Sequence, residues 1–206
     1  MYIPEHFRVD DRETLRAFVR ANDFATVMTV ADGAPVVSHI PLLLRTTSAG
    51  EDVLFGHVAR ANPHWRCFDG ATSTLAMFHG AHGYVSPSWY ETAPAVPTWN
   101  YAVVHAAGTP RLLDDGELVA LLADLVAVYE SLRAQPWRVE DLPAEYLARM
   151  SRAIVGFAMP VETFVGKFKL SQNKSAGDVE RVIAALECAG NPALAAAMRG
   201  GRGVRG

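Results

Sequence analysis

Residues 84–105 concentrate aromatic and polar side chains in one short segment, YVSPSWYETAPAVPTWNYAVVH. Flat rings stand next to hydroxyl and amide groups, a combination that suits a planar ligand with polar edges. The alternative is a subunit interface, because Trp and Tyr also anchor contacts between proteins. Three prolines restrict the backbone, which lowers the ordering cost of binding in either case. The residues concerned are Ser86, Ser88, Trp89, Tyr90, Thr98, Trp99, Asn100 and Tyr101.

A second segment, FGHVARANPHW at 55–65, has the residue types of an anion site. The pair Asn62-Pro63 predicts a helix start, because Asn accepts from free amides and Pro lacks the N–H that would stay unpaired. Such amides attract an anion, and His57 and Arg60 just upstream supply further donors. The stretch therefore resembles a phosphate site. The alternative is that Asn62 only caps a short helix and Arg60 is solvated.

A third segment, GKFKLSQNK at 166–174, alternates lysines with apolar residues. In a strand, Lys167 and Lys169 share one face, and two like charges side by side favour a bound anion. The alternative is an edge strand whose lysines oppose aggregation. Residues 171–173 are equally suited to capping the last long helix.

The elements that must position these segments are mostly strands. Asp32-Gly33, between FATVMTV and PVVSHIPLLL, predicts a β-hairpin, because Gly tolerates the positive φ that such turns require. At least six strands are expected in total. The further β-rich runs are 53–58, 73–80, 82–89, 98–108 and 154–166.

Helices are predicted between and after the strands. Asp10 with Glu13 suits the start of a helix over 11–21. Asp114 with Glu117 precedes an apolar stripe that continues through about residue 133. Further helices are predicted to begin near Pro143, after Ser175 and, as a short one, at Asn191.

The order of these elements indicates an α+β fold. The strands run mostly in succession without βαβ alternation, which favours an antiparallel barrel with peripheral helices. No linker divides the chain, so residues 1–190 are predicted to form a single domain that includes C-terminal helices. Residues 191–206 are predicted to form a short helix and a flexible tail.

Composition excludes several classes of protein. No run of about 18 apolar residues is present, and the first residues are too polar for a secretory signal, so a cytoplasmic location is expected. Cys67 and Cys188 lack any ligand spacing and are expected to be reduced thiols. The formal net charge of −3 gives no general attraction to nucleic acid.

Five motifs, in this order, resemble one known family: MYIPEHF, GHVARANP, YVSPSWY, VPTWNYAVVH and GKFKLSQN. They are similar to the PaiB-like family of FMN-binding negative transcriptional regulators, from Met1 to about Leu186. The resemblance implies a split β-barrel of antiparallel Greek-key type, related to pyridoxamine-phosphate-oxidase-like flavoproteins. It also implies FMN as cofactor, a homodimer with the flavin groove between subunits, and operator DNA as a partner. The family more often has Gln at position 64, where this chain has His64.

The resemblance also implies which residues surround FMN. The dianionic phosphate of FMN needs cations, and the isoalloxazine ring of FMN needs apolar walls with hydrogen-bonding edges. The partner subunit is expected to contribute one of the cations. The predicted cofactor-binding residues are His57, Arg60 and Asn62 at the phosphate end, Lys167 or Lys169 as a second cation, Ser86, Ser88 and Trp89 beside the ring or the ribityl chain, and Thr98, Trp99 and Asn100 on the opposing wall.

Two other functions fit the same residues. In an FMN-dependent oxidoreductase the cofactor would pass electrons to a small acceptor, and no acid–base pair would be needed. In a haem-binding or haem-degrading split-barrel protein, His57 or His105 would be an axial ligand. No helix has the basic face of a DNA-recognition helix. The remaining histidines lack Cys or carboxylate companions, so no metal site is assigned.

Overall fold

The computed structural model describes residues 1–200, and the predicted flexible tail at 201–206 lies outside the described residues. Ten strands are formed in the described part of the chain. Where pairings are defined, neighbouring strands run antiparallel. The strands are β1 (Arg8–Val9), β2 (Phe24–Ala31), β3 (Ala34–Pro41), β4 (Leu43–Thr46), β5 (Asp52–Ala59), β6 (Thr74–Val85), β7 (Thr98–Gly108), β8 (Arg111–Leu112), β9 (Ile154–Pro160) and β10 (Thr163–Lys169).

The helices lie close to the positions predicted from caps and apolar stripes. The first is capped by Asp11, which accepts from the backbone N–H of Thr14 at 2.8 Å, and not by the predicted pair of Asp10 with Glu13. Among residues 1–200, no helix combines the length and the apolar character needed to cross a bilayer. Short 3₁₀-helices at Pro63–Cys67 and Pro87–Trp89 lie in two of the three segments predicted to bind a ligand. The α-helices are α1 (Arg12–Ala21), α2 (Asp115–Glu130), α3 (Ala144–Ser151), α4 (Ala176–Cys188) and α5 (Pro192–Gly200).

The chain divides into two compact units. The first unit consists of Met1–Phe18, His79–Val104 and, within the described part of the chain, residues 165–200. The second unit consists of Val19–Phe78 and His105–Phe164. Each unit is therefore built from segments that are far apart in sequence.

The first unit has the strand order β1-β10-β7-β6. Its helices α4 and α5 contribute most of a buried apolar cluster that includes Val182, Ile183 and Leu194. Ser175 caps α4 by accepting from the backbone N–H of Asp178 at 3.1 Å. The last long helix therefore begins after Ser175, as predicted, and its cap is Ser175, not one of residues 171–173.

The second unit contains the hairpin of β2 and β3, with β6 next to β2, and a sheet in the order β4-β5-β9-β8. Asp32 and Gly33 have φ of 52° and 76°, the conformation of a tight two-residue hairpin turn. Asp114 and Glu117 form a reciprocal capping box at the start of α2. Cys67, in this unit, and Cys188, in the first, are free thiols as predicted.

Two strand boundaries differ from the prediction. The runs 73–80 and 82–89 form one strand, β6, that continues through Gly80. This glycine is not a break but a point of close packing: an added Cβ would lie 2.8 Å from the Phe18 ring. Conversely, the run 154–166 forms two strands, because β9 ends at Pro160 and the next strand begins at Thr163.

Candidate functional site

One face of β6 and β7 in the first unit forms an open cleft with aromatic walls, here called the aromatic cleft. Alternate residues of a strand face the same side, so Trp99 and Tyr101 lie together on this face. The Trp99 side chain is 54% exposed, and its ring meets that of Tyr84 edge to face. The cleft has a volume of about 360 Å³. Its lining residues are His79, Gly80, His82, Trp99, Tyr101, Ala102 and Val103.

Both lysines of the third sequence segment contact β7 or its aromatic rings. The Lys167 ammonium lies 5.3 Å from the centre of the Tyr101 ring, in a cation–π arrangement, and donates to the carbonyl oxygen of Tyr2. Lys169 donates to the carbonyl oxygen of Trp99 at 2.7 Å and to the hydroxyl of Thr98. Burial, with a smaller repulsion from Lys167, lowers the pKa of Lys169. These cations are held by oxygens and rings, not by carboxylates.

Thr98 and Asn100 line a different pocket from Trp99. Asn100 is buried, and its amide donates to the Ser171 hydroxyl at 2.9 Å. Thr98, Asn100 and Lys169 line a small polar pocket of about 170 Å³. Because neighbouring residues of a strand face opposite sides, the three residues predicted to form one wall are divided between two pockets.

Ser86, Ser88 and Trp89 belong to the 3₁₀-helix Pro87–Trp89 and its cap. The Ser86 hydroxyl accepts from the backbone N–H of Ser88 at 3.2 Å and contacts the Ser88 hydroxyl at 2.8 Å. Trp89 packs against the apolar cluster of α4 and α5. This turn therefore rests on the same core as the last two helices.

In the second unit, Arg60 and Asn62 bind backbone and side-chain groups of their own surroundings. The Arg60 guanidinium donates to the carbonyl oxygens of Arg152 and Ile154, at 2.6 and 3.0 Å. Asn62 accepts from the backbone N–H of His64 at 3.0 Å, which caps the five-residue 3₁₀-helix Pro63–Cys67. The predicted helix start is confirmed, although the helix is a single 3₁₀ segment.

Two histidines of this unit lie in surroundings that disfavour the protonated form. Burial lowers the pKa of His57, which lies in β5 opposite Gly156. Burial also lowers the pKa of His64, whose two ring nitrogens contact the hydroxyls of Ser38 and Thr29 at 2.9 and 3.0 Å. Asn62 also donates to Ser38, so His64 belongs to a buried chain of polar groups.

Within the first unit, the structure thus brings together Trp99 with Tyr101, and Thr98 with Asn100 and Lys169. Residues that the sequence did not assign to the cofactor also line these two pockets, namely His79, His82, Tyr101, Ser171 and Lys174. Period-two alternation in 98–108 signals that Tyr101 shares a face with Trp99. No comparable signal relates Ser171 or Lys174 to β7, because that proximity depends on long-range strand pairing.

Comparison with known proteins identifies the family and the fold. A family model described as "Putative FMN-binding domain" matches residues 1–163. The "Protease synthase and sporulation protein PAI 2" of Bacillus subtilis (strain 168) is 38% identical over 192 residues, which cover 93% of this chain and 92% of that protein.

Two solved structures share the fold at low sequence identity. The FAD and haem binding protein from Mycobacterium smegmatis gives a TM-score of 0.63 at 20% identity, covering 87% of this chain and 80% of the other. The flavocytochrome Anf3 from Azotobacter vinelandii gives a TM-score of 0.62 at 15% identity, covering 81% and 72%. The predicted α+β fold of split-barrel type is confirmed. The chain belongs to the PaiB-like family of FMN-binding proteins, with FMN as its cofactor, as the five sequence motifs predicted.

Proposed function

We propose that this protein is an FMN-dependent negative transcriptional regulator that acts as a homodimer. The observation that supports the flavin part is the aromatic cleft, where the exposed Trp99 and the half-buried Tyr101 share one face and the Lys167 ammonium lies against the Tyr101 ring. The regulatory part is supported by the likeness, along nearly the whole chain, to a protein named for protease synthesis and sporulation.

The residues of the aromatic cleft fit the ring system of FMN. Its volume of about 360 Å³ lies within the range of roughly 300–1,000 Å³ typical of small-molecule sites. The rings of Trp99 and Tyr101 offer stacking surfaces, and the exposed imidazoles of His79 and His82 offer hydrogen-bonding edges. When bound, FMN supplies the capacity to accept and return electrons.

The phosphate of FMN needs cationic donors. We assign this role to Arg60 and Asn62 with His57 nearby, and to Lys167 or Lys169 from the partner subunit. Arg60 uses Nε and one Nη2 hydrogen for backbone carbonyls, so its remaining N–H groups stay available to a phosphate. Ser86, Ser88 and Trp89 are assigned to the ribityl or ring region.

A second candidate function is an FMN-dependent oxidoreductase. The openness of the aromatic cleft favours it, since a flavin ring stacked on the exposed Trp99 would present its outer face to a small acceptor. In that case the protein would orient the ring and keep it partly shielded from water, while the cofactor would carry the electrons.

One set of experiments tests these alternatives. FMN is added to flavin-free protein and followed by visible absorbance and fluorescence quenching, with saturation at one FMN per chain as the expected result. Light scattering measures the mass, and a stable monomer at micromolar concentration would contradict the homodimer. A gel-shift experiment with a promoter fragment at physiological salt tests the regulatory function. Retardation that the unlabelled site abolishes, but random DNA does not, supports a transcriptional regulator. Anaerobic bleaching by NADH or NADPH with turnover of an acceptor supports the oxidoreductase instead.

A further inference from the structure

The polar pocket of the first unit has a volume of about 170 Å³ and lies between β7 and the chain that follows β10. Asn100 and Lys169 contribute from the two strands, and Ser171 and Lys174 contribute from the turn before α4. Tyr90 closes another side. By volume, the pocket would hold about five or six water molecules, so it is too small for a flavin ring system but sufficient for a small polar compound.

Asn100, one of the residues that line this pocket, has a buried acceptor without a partner among the described residues. The residue is 1% exposed, and its Nδ2 donates to the Ser171 hydroxyl at 2.9 Å and to the Met198 sulfur at 3.5 Å. Because a thioether can only accept, the atom facing Met198 must be the amide nitrogen. The amide oxygen Oδ1 then has no hydrogen-bond partner among the described residues. A buried acceptor of this kind is costly unless a ligand or water supplies a donor.

The charges around the pocket are all positive. Lys169 and Lys174 are its ionisable cations, and none of its described lining residues is acidic. The Lys174 ammonium lies 4.9 Å from the centre of the Tyr90 ring, and Lys169 is held by Thr98 and by the Trp99 carbonyl. Both cations thus retain N–H groups that no carboxylate neutralises, and an anion placed between them would gain charge-assisted hydrogen bonds.

Ser171 is held in a conformation that only glycine adopts easily. Its φ is +65°, in the left-handed region, and the residue is buried. The Gln172 side chain accepts from the backbone N–H of Leu170 at 2.7 Å, which fixes the turn on one side, while Asn100 holds the Ser171 hydroxyl on the other. Such strain persists where the surroundings enforce it, often at ligand sites.

We propose that the polar pocket binds a small organic anion that carries a hydroxyl or ammonium donor next to its charged group. The anionic group lies between Lys169 and Lys174, and the donor satisfies Asn100 Oδ1. This chemistry has two sources, the ribityl phosphate end of FMN or a free metabolite such as a small hydroxyalkyl phosphate. Only the first source rests on the function proposed above.

The test uses the full chain in flavin-free and FMN-loaded forms, with glycerol 3-phosphate as the probe. Inorganic phosphate serves as a probe of the charge alone, and glycerol as a probe of the hydroxyls alone. Binding is measured by calorimetry and by shifts of amide NMR signals near Asn100 and Ser171. The variant is Lys174→Gln, since Lys174 is exposed and its loss should not affect folding. The matched control is Arg181→Gln, which removes one exposed positive charge of the same unit, paired with Glu91 outside the pocket.

We expect glycerol 3-phosphate to bind more tightly than inorganic phosphate, and Lys174→Gln to weaken it by about tenfold, the effect of one charged hydrogen bond. Binding to both protein forms identifies a free metabolite. Three results together identify the FMN phosphate end as the ligand. Glycerol 3-phosphate then binds only to the flavin-free form, and FMN competes with it. Lys174→Gln also lowers the affinity for FMN more than the affinity for riboflavin. Saturable binding of glycerol 3-phosphate to a protein that fails to bind FMN would overturn the proposed function but not this inference.

The inference is overturned if neither phosphate compound binds saturably in the millimolar range. It is also overturned if Lys174→Gln and Arg181→Gln have the same effect. Asn100→Ala gives a second measurement, because losing the acceptor should abolish the preference for glycerol 3-phosphate over inorganic phosphate. A preference that survives in folded Asn100→Ala would contradict the assigned role of Oδ1.

Discussion

Arg60 donates from its guanidinium Nε to the backbone carbonyl oxygen of Arg152 at 2.6 Å. Its backbone N–H also donates to the carbonyl oxygen of Ala153 at 2.8 Å, so Arg60 holds the segment that leads into β9 in place by both its side chain and its backbone. The arginine therefore has a structural role in addition to its proposed place at the FMN phosphate. These two roles can be separated by measuring stability and cofactor affinity in the same variant.

Arg60→Ala should weaken FMN binding by about 2 kcal/mol, roughly thirtyfold, through loss of a charged hydrogen bond. The free energy of unfolding should fall by only about 1 kcal/mol, because the side chain is exposed and water can replace the guanidinium as the donor to the two carbonyl oxygens. FMN titration and urea unfolding measure the two quantities. Arg66→Ala removes an exposed charge of the same unit and should change neither. Unchanged FMN affinity in Arg60→Ala would remove this residue from the site.

His64 should make the protein less stable in weak acid. Burial lowers its pKa, so below the unfolded-state value of about 6.5 the unfolded chain binds a proton that the folded chain does not. The free energy of unfolding then falls as the pH falls, by up to about 1.4 kcal/mol per pH unit for one group, until the pH reaches the folded pKa. Urea unfolding at a series of pH values between neutral and weakly acidic measures this slope.

His64→Gln should reduce that slope, because Gln does not titrate and can still bond to the hydroxyls of Ser38 and Thr29. A remaining slope is expected from His57, whose pKa is also lowered by burial. Identical pH dependence in the variant and the wild type would show that another group controls acid stability.

Gly108→Ala should disrupt the second unit. A Cβ at this position would lie 1.9 Å from the backbone carbonyl oxygen of Pro160, a distance that only a backbone shift can relieve. We expect a loss of about 3 kcal/mol or more in the free energy of unfolding. Gly177→Ala is the control, because its Cβ would meet nothing within 4 Å and α4 should gain about 0.5–1 kcal/mol. Thermal and urea unfolding compare the two, and equal stability of both variants would refute the packing argument.

Trp99→Ala should weaken FMN binding by about 1 kcal/mol through loss of ring stacking. The free energy of unfolding should change little, because the Trp99 side chain is exposed. Quenching of flavin fluorescence measures the affinity. Trp137→Ala provides the control, since Trp137 is comparably exposed but lies in the second unit. If both variants bind FMN equally well, the aromatic cleft is not the flavin site.

Features that depend on neighbouring residues were predictable from the sequence. The hairpin at Asp32-Gly33, the capping box of Asp114 with Glu117, and the cap at Ser175 each require only a few consecutive residues. The family and its cofactor followed from five motifs whose order and spacing are specific.

Features that depend on distant parts of the chain were not predictable. The partners of Arg60 lie at Arg152 and Ile154, about ninety residues away in sequence, and no local pattern relates them. The need for glycine at position 80, inside β6, depends on the Phe18 ring, which occupies the space a side chain would need. The unpaired oxygen of Asn100 depends on contacts with Ser171 and Met198, which belong to the last segment of the chain.

The assembly of the first unit from three separated segments has a consequence for synthesis. While the ribosome is still making the chain up to about residue 165, the nascent polypeptide holds the aromatic residues of β7 but not the lysines of β10 or the helices of the apolar cluster. This unit can therefore complete its folding only after the segment that begins at Val165 has been synthesised, and until then its apolar surface stays accessible to chaperones and proteases. A premature stop before Lys167 would leave a chain that lacks Lys169, Ser171 and Lys174, and therefore much of the lining of the polar pocket.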